Sequence, residues 1–508
     1  MGNLWTAFAE TADARADAPA LVLGERVTSF GELKRLAEGL SGLLARRDIG
    51  FGRVVALQLP KRTETYGLLL ACLRLGAPYV FIDPKNPPDR TSRIVGRIRP
   101  ALIVTTGSSE NPHGAVMRVP AQGEPGLAAE LPAAAPGPAA VTGTDPAYVM
   151  FTSGSTGQPK GAVIPHQGVL SLMAWARQHV SPGPGERFTG INPLHFDNSV
   201  FDIYCGLLNG AALVPIETGE ETNAASWTRT MRASRATVMF AVPTLFLILD
   251  RLGLLTPTAF PETRTFIFGG EGYPTPRLRD FQARFNGSAR LINVYGPTET
   301  SCICSSITVD DALLQGCDST FPPLGRMHAG FSHAVLDEAG RPVAAGAVGE
   351  LWIGGPCVGL GYYADPDETE RRFRQDPRQQ DYRSIWYRSG DLVREDAVGR
   401  LWFQGRVDNQ VKVRGHRIEL EEVDLAVQSI PGVLRAVAVV LGDGEEAELN
   451  IAYVADRAIA TEEIQRLCGE KLPAYMRPTR AMQLDDLPRN ANGKVDRLAT
   501  RTLLTRAQ

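Results

Sequence analysis

Long apolar runs are missing from this 508-residue chain, and no window approaches the roughly 20 apolar residues that a membrane-spanning helix requires. A basic excess is missing too, because 53 lysines and arginines stand against 56 acidic residues, for a formal charge of −3. A nucleic-acid surface requires a basic stripe, and none is visible as a run. Residues 1–30 contain no apolar segment of signal-peptide length. These absences predict a cytoplasmic protein whose partners are neither membranes nor nucleic acids.

Cysteine is sparse and irregularly placed. The seven residues are odd in number, and none of their spacings is typical of a metal site. Buried, reduced thiols in a cytosolic protein are therefore expected. The positions are Cys72, Cys205, Cys302, Cys304, Cys317, Cys357 and Cys468.

Lysine is scarce as well, with only seven among the 53 basic residues. In a chain that uses arginine for nearly all of its positive surface charge, a lysine within a glycine-rich loop indicates a specific role. Three of the seven lysines fall in such loops.

One such loop follows a predicted buried strand at residues 147–151 and precedes another at 162–164. It contains Thr152, Ser153, Gly154, Ser155, Thr156, Gly157 and Lys160. Glycines let the main chain approach a ligand, and an irregular loop leaves backbone N–H groups unpaired. The spacing differs from that of the P-loop because Pro159 precedes the lysine and Gly161 follows it. The pattern predicts a phosphate-binding loop, with a flexible surface linker as the alternative.

Predicted strands alternate with predicted helices along the first 300 residues, which favours an α/β fold with a doubly wound parallel sheet. Several strands end in small or polar clusters, and ligands of such sheets lie beyond the carboxyl ends of strands. We therefore expect these clusters to face one site. They include Gly269, Gly270, Glu271 and residues 296–300, beginning with Gly296.

The pattern changes near residue 405, where shorter elements begin. A chain of 508 residues is too long to fold around a single hydrophobic core of ordinary size. The sequence predicts a large N-terminal domain over residues 1–407 and a small α+β domain over residues 408–508.

Four motifs resemble those of the adenylate-forming superfamily, which comprises acyl-CoA synthetases, luciferases and adenylation domains of nonribosomal peptide synthetases. They are the 152–160 loop, Asn293-Val294-Tyr295-Gly296-Pro297-Thr298-Glu299, Tyr387-Arg388-Ser389-Gly390-Asp391 and Asn492-Gly493-Lys494. The likeness covers nearly the whole chain. Residues 79–84, 196–199 and 405–415 make it most similar to an amino-acid adenylation domain. The implied fold is a large domain of stacked sheets and flanking helices with a mobile small domain.

The resemblance implies a site for ATP and Mg²⁺. The loop would hold the β and γ phosphates, Thr298 would contact the α-phosphate, and Glu299 would bind the metal, since Mg²⁺ prefers carboxylate oxygens. Asp391 would bind the ribose, with Arg406 close by. Tyr295 would stack on adenine, lined by Gly269, Gly270 and Asn293.

The resemblance also assigns Lys494 as the catalytic lysine, which would bridge the substrate carboxylate and the α-phosphate as charge develops. Asp408 would be the hinge about which the small domain rotates between two poses. In the second pose Lys494 would leave the site, and residues 414–416 would approach a carrier's phosphopantetheine arm.

Asp197 stands at the position that pairs with the substrate ammonium in amino-acid-specific relatives. A buried carboxylate in an apolar run needs a cationic partner. The resemblance places eight further residues on the pocket wall, namely Asn198, Phe201, Phe240, Phe266, Phe268, Val294, Cys302 and Ile303. Four phenylalanines leave little volume, so glycine, alanine, serine or a small β-amino acid is the expected substrate.

Two alternatives stay open. An acyl- or aryl-CoA ligase would use CoA in place of a carrier protein, although Asp197 argues against it. A non-catalytic nucleotide- or partner-binding module would be expected to lose a key residue, yet Lys494, Glu299 and Asp391 are all present. The absence of a carrier signature after Lys494 favours an enzyme that loads a separate carrier protein.

Overall fold

The computed structural model describes residues 2–107, 109–120, 127, 131–132, 135–154, 157–217, 224–442, 446–489 and 495–506. None of the helices within these ranges combines the length and the hydrophobicity that a membrane span requires. The α-helices are α1 (Leu4–Ala14), α2 (Phe30–Ala45), α3 (Thr63–Leu75), α4 (Pro88–Ile98), α5 (His166–His179), α6 (Asn198–Val200), α7 (Ala224–Ser234), α8 (Pro243–Arg251), α9 (Thr275–Phe285), α10 (Asp311–Gln315), α11 (Pro366–Arg372), α12 (Leu420–Gln428), α13 (Thr461–Cys468) and α14 (Arg497–Arg506).

The strands of the first 300 residues are β1 (Pro19–Leu23), β2 (Arg26–Ser29), β3 (Val55–Gln58), β4 (Tyr79–Phe81), β5 (Leu102–Thr105), β6 (Ala115–Arg118), β7 (Pro146–Thr152), β8 (Lys160–Pro165), β9 (Arg187–Gly190), β10 (Ala212–Pro215), β11 (Val238–Ala241), β12 (Thr265–Gly269) and β13 (Arg290–Tyr295). The later strands are β14 (Ser305–Val309), β15 (Arg326–Met327), β16 (Ser332–Leu336), β17 (Val348–Gly354), β18 (Gly361–Tyr362), β19 (Phe373–Gln375), β20 (Ile385–Glu395), β21 (Leu401–Arg406), β22 (Gln410–Val413), β23 (His416–Glu419), β24 (Val433–Leu441), β25 (Glu448–Ala455) and β26 (Arg480–Gln483).

Local sequence explains several of these boundaries. Helix α2 begins at a capping box, in which Ser29 and Glu32 each accept a backbone N–H of the other residue. Helix α3 ends at Gly76, which takes the left-handed conformation that favours glycine.

A five-stranded antiparallel sheet with the order β16-β17-β20-β19, in which β21 also pairs with β20, and two large sheets form the N-terminal part. One large sheet has the strand order β15-β14-β13-β12-β11-β9-β10-β1-β2, and the other has the order β18-β8-β7-β4-β3-β5-β6. Strands β9 to β13 run parallel, as predicted, but β7 pairs with β8, and β13 with β14, in antiparallel fashion. The predicted α/β fold with parallel strands is therefore confirmed, and antiparallel strands extend the sheets at these edges, because a short reversing connection can join only antiparallel neighbours.

The C-terminal part has a hydrophobic core of its own, which runs from Val413 to Met476. It consists of the β22–β23 hairpin, a β24-β25-β26 sheet and helices α12 to α14. The predicted boundary at residue 408 falls between β21, which ends at Arg406, and β22, which begins at Gln410.

All seven cysteines are buried and unpaired. Burial raises the pKa of the Cys72 thiol to about 12 and that of Cys468 to about 11. The prediction that the cysteines are buried, reduced thiols is confirmed.

Candidate active site

The predicted phosphate loop connects β7 to β8, whose paired ends are Thr152 and Lys160. The hydroxyl oxygen of Thr152 is buried and has no hydrogen-bond partner within the described part of the chain. A Cβ atom at Gly154 would lie 1.9 Å from the carbonyl oxygen of Gln158, so only glycine fits there. A free donor beside a close-approaching backbone fits a phosphate group. Ser155 and Thr156 lie outside the described residues.

Lys160 begins β8, and its ammonium group lies 2.8 Å from a carboxylate oxygen of Glu368 on α11. Both side chains are buried. Glu368 also pairs with Arg371 at 3.0 Å and with Arg372 at 3.5 Å. The predicted role of Lys160 in phosphate binding stays a prediction, and here its charge already has a partner.

The predicted ribose and adenine residues lie close together. The hydroxyl of Tyr295, at the end of β13, donates to Asp391, and Arg406 forms an ion pair with the same carboxylate. Asn293, on the same strand, donates to the carbonyl oxygen of Pro323 at 2.8 Å. A Cβ at Gly296 would lie 2.2 Å from the carbonyl oxygen of Cys302, so the turn after β13 also requires glycine.

The end of β12 supplies the Gly269-Gly270-Glu271 cluster that the sequence predicts at this site. Gly270 adopts a left-handed conformation, with φ of 90°. Glu271 accepts hydrogen bonds from the backbone N–H of Thr244, at 3.2 Å, and from its hydroxyl, at 2.5 Å. The second carboxylate oxygen of Glu271 is buried without a partner among the described residues.

Glu299, the predicted Mg²⁺ ligand, is fully buried in a 3₁₀ turn over Thr298–Thr300. Its carboxylate accepts hydrogen bonds from Arg417, at 2.8 and 3.1 Å, and from the Tyr362 hydroxyl, at 2.7 Å. Burial alone would raise the pKa of Glu299, but Arg417 and these hydrogen bonds outweigh it and lower the pKa to about 2. A carboxylate held in its charged form suits a hard divalent cation.

The neighbouring Thr298 joins the nucleotide side of the site to the acyl side. Its hydroxyl donates to Asp197 at 2.7 Å. Burial raises the pKa of Asp197, against the hydrogen bond from Thr298. In the described part of the chain, no lysine or arginine lies within ion-pair distance of Asp197, so this carboxylate can accept a cation from a ligand.

Five of the predicted acyl-pocket residues line the cavity beside Thr298. They are Asp197, Asn198, Phe240, Val294 and Cys302. Phe201 lies behind the wall, with its ring 5.3 Å from that of Phe240 and nearly perpendicular to it. Ile303 belongs to the same hydrophobic core.

The assignment of Phe266 and Phe268 to the pocket wall is wrong. The ring of Phe266 packs 5.8 Å from Phe246, and that of Phe268 packs 5.0 Å from Tyr273, on the opposite face of the sheet. Side chains alternate along a strand, so an error of one residue moves the whole set to the other face. Ile267 pairs in register with Phe240 and shares its core. The alternation of β11 and β12, read together, was the signal that could have placed these rings correctly.

Sequence reasoning missed an aromatic cluster at the cavity mouth. The rings of His416 and Tyr475 stack 3.9 Å apart, within 5° of parallel, and Phe196 lies 5.2 Å from His416. His195 packs against Phe196. Burial lowers the pKa of His416 to about 4, so this ring is neutral at pH 7.

Sequence reasoning also missed the role of Lys61. Its buried ammonium group donates to the backbone carbonyls of Gly190, Ile191 and Ile216 at 2.7, 2.9 and 2.8 Å. Burial lowers the pKa of Lys61 to about 8. One charge therefore ties together the ends of β9 and β10, directly before the segment that carries Asp197.

The predicted hinge residue, Asp408, accepts hydrogen bonds from Arg406 at 2.6 Å and from Arg372 at 3.1 Å. Beyond it, the β22–β23 hairpin lies over the cavity and lines it with Lys412 and residues 414–417. The resemblance assigns this position of the hairpin to the second pose. Lys494 lies outside the described residues, so its catalytic role stays a prediction.

Comparison with known proteins agrees with this geometry. A model of the AMP-binding enzyme family matches residues 8–363, and a model of the AMP-binding enzyme C-terminal domain matches residues 422–494. An L-proline--[L-prolyl-carrier protein] ligase of Pseudomonas fluorescens is 32% identical over 94% of this chain and 95% of its own length. Surfactin synthase subunit 3 of Bacillus subtilis is 34% identical over 96% of this chain, which spans 38% of that longer protein.

Solved structures agree as well. Holo-PA1221, described as a nonribosomal peptide synthetase protein containing adenylation and carrier domains, superposes with a TM-score of 0.84 at 27% identity, over 99% of this chain and 84% of that one. IdnL1 superposes with a TM-score of 0.83 at 29% identity, over 96% of this chain and 99% of that one. The chain therefore belongs to the AMP-binding enzyme family, and it is similar to a prolyl-carrier protein ligase in sequence and to proteins with adenylation domains in structure.

Proposed function

We propose that this protein activates a small neutral amino acid as its aminoacyl adenylate and then transfers it to the phosphopantetheine thiol of a carrier protein. Enzymes of this family use ATP and Mg²⁺, and the donor set around Thr152, Glu299 and Asp391 fits both. In the first step a carboxylate oxygen of the substrate attacks the α-phosphorus, and the bond to the β-phosphate breaks, which releases pyrophosphate. In the second step the thiol sulfur attacks the activated carbonyl, AMP leaves, and a proton is released.

The observation that carries the proposal is that Asp197 has no ion-pair partner among the described residues, with Lys412 and Arg417 acting on its charge only from beyond ion-pair distance. A buried carboxylate without a cationic partner is costly, and here it faces a cavity next to the nucleotide residues. An α-ammonium group would supply the missing charge and would place the substrate carboxylate beside Thr298. An acyl or aryl acid without an amine would leave Asp197 unpaired, which disfavours the CoA-ligase alternative.

The proposed substrate size rests on the wall formed by Phe240, Val294 and Cys302. Glycine, alanine, serine and a small β-amino acid remain the first candidates, with Asn198 available to bond a hydroxyl or a displaced amine. With Phe266 and Phe268 on the other face of the sheet, the wall contains fewer rings, and the upper limit on side-chain size rises. L-Proline, which the name of the Pseudomonas fluorescens relative gives as its substrate, therefore belongs among the candidates.

The position of the hairpin supports the second half of the proposed reaction. Residues 414–416 lie at the cavity mouth, beside the stacked rings of His416 and Tyr475. This is where the thiol arm of a carrier would enter between the two domains. The names of the prolyl-carrier ligases support a protein acceptor.

The test is amino-acid-dependent exchange of pyrophosphate into ATP over a panel that includes proline and the branched amino acids. We expect the highest rate with a small neutral amino acid, and strongest activity with tryptophan or arginine would contradict the proposed size. Thioester formation is then compared with holo-carrier protein and with free CoA, since a preference for CoA would favour the alternative ligase. No exchange with any amino acid would favour a non-catalytic nucleotide-binding module.

A further inference from the structure

Two charged residues of the small domain occupy positions where the proposed reaction requires ligand charge. Arg417 of β23 places its guanidinium group on both carboxylate oxygens of Glu299, at 2.8 and 3.1 Å. Glu299 is the expected Mg²⁺ ligand. A cation of the chain therefore occupies the position of the metal's charge.

The second residue is Glu422, in the first turn of α12. One of its carboxylate oxygens accepts the backbone N–H of Gly154 in the phosphate loop at 3.3 Å. The other oxygen forms a buried ion pair with Arg90 of α4 at 2.8 Å. The Glu422 carboxylate therefore accepts the Gly154 N–H, which in the proposed function would donate to a phosphate oxygen.

A third contact fixes the two charges relative to the loop. The Ser153 hydroxyl donates to the carbonyl oxygen of Arg417 at 2.8 Å and accepts the backbone N–H of Glu419 at 3.2 Å. Ser153, Gly154 and Glu299 are thus all engaged by one short segment, residues 417–422. The same three groups cannot at once bind a magnesium pyrophosphate.

We infer that Arg417 and Glu422 together imitate magnesium pyrophosphate, so that the small domain adopts this pose only where the true ligand is absent. The inference rests on the proposed function and adds the reason for the order of its two steps. Before pyrophosphate leaves, magnesium pyrophosphate occupies Ser153, Gly154 and Glu299, so residues 417–422 cannot bind to them. After release, Arg417 and Glu422 restore the charge balance that Glu299 and the loop lose, and they hold the hairpin at the cavity mouth. Arg417 and Glu422 are positioning residues for the thiol-transfer step.

Equilibrium binding of magnesium pyrophosphate to the full-length protein, without amino acid, tests this competition by calorimetry. A ligand that must displace residues 417–422 binds only to molecules in which this segment has left the site. Its apparent affinity is therefore its intrinsic affinity multiplied by the fraction of such molecules. If nine-tenths of the molecules hold this pose, Arg417→Gln strengthens binding about tenfold. Arg457→Gln is the matched control, because Arg457 pairs with Glu463 on the surface of the same domain. We expect its affinity to equal that of the native protein.

Hydrogen exchange followed by mass spectrometry provides a readout that needs no variant. Magnesium pyrophosphate should remove the protection of the Glu419 amide, which loses Ser153. The Gly154 amide should stay protected, because a phosphate oxygen replaces Glu422. AMP, which has no β or γ phosphate to displace residues 417–422, should leave the protection of both amides unchanged.

Equal affinity of the native protein and Arg417→Gln, together with unchanged exchange at Glu419 under saturating magnesium pyrophosphate, would overturn the inference. A response of the same size to Mg²⁺ alone would overturn the joint role of Glu422. Amino-acid-dependent pyrophosphate exchange reports separately on the proposed function, so a failure of either one is distinguishable from a failure of the other.

Discussion

The nucleotide side and the acyl side of the site differ in how their charges are balanced. On the nucleotide side, Glu299 is paired with Arg417, Asp391 with Arg406, and Lys160 with Glu368. On the acyl side, Asp197 accepts one hydroxyl and has no cationic partner within ion-pair distance among the described residues. On the nucleotide side, a ligand must therefore displace or join the existing ion-pair partners. On the acyl side, the ligand itself supplies the cation that pairs with Asp197. The acyl side is accordingly where the identity of a ligand has the larger energetic consequence.

The sharpest test of the nucleotide side compares its two lysines. Lys494→Ala should lower the rate of amino-acid-dependent pyrophosphate exchange about 10²- to 10³-fold, since it removes a charge that acts on the developing transition state. Lys160→Ala should cost about tenfold or less, because Glu368 already balances that charge. The reverse order would show that the two lysines are wrongly assigned.

Asp197→Asn tests the acyl side. Removal of one partner of a buried ion pair typically costs about 2–5 kcal/mol, so the KM for the amino acid should rise about 30-fold or more. The affinity for ATP, measured without amino acid, should stay unchanged because Glu299 and Asp391 keep their partners and the amide oxygen of asparagine can still accept the Thr298 hydroxyl. An equal loss of ATP affinity would remove the distinction between the two sides.

The two faces of the central sheet give a matched pair of variants. Phe266→Ala should lower the free energy of unfolding by about 3–5 kcal/mol, as expected for a buried ring, and leave the ranking of amino acids unchanged. Phe240→Ala should widen the range of accepted amino acids towards larger side chains. Thermal melting and pyrophosphate exchange measure the two effects. A change of ranking in Phe266→Ala would return that ring to the pocket wall.

The pH dependence of amino-acid affinity is the smallest expected effect. Burial raises the pKa of Asp197 in the empty site, and an ammonium group binds only its charged form. Affinity should therefore fall as the pH drops through that raised pKa, by up to about tenfold per unit. The pKa of Glu299 is about 2, so its charge stays constant over the same range. Asp197→Asn should abolish this dependence, and its persistence in that variant would assign the titration to another group.

Features encoded within a few neighbouring residues could be predicted from the sequence. The strands predicted at residues 147–151 and 162–164 were confirmed as β7 and β8, because apolar runs bounded by small residues specify them locally. Gly270 after β12 and Gly296 after β13 line one cavity, which agrees with the expected convergence of strand ends. Phe266 and Phe268 were misplaced because residue type alone does not fix the face of a strand. The pairing of Glu299 with Arg417, 118 residues apart, depends on domain packing that no local pattern encodes.

The burial of all seven thiols has a practical consequence for following the small domain. Maleimide reagents require an accessible thiolate, and burial withholds the native sulfurs from them. The native protein should therefore react little with maleimide reagents. One engineered cysteine on each domain, at exposed Thr258 and exposed Thr502, would accept a fluorophore pair and convert domain rotation into a change of transfer efficiency.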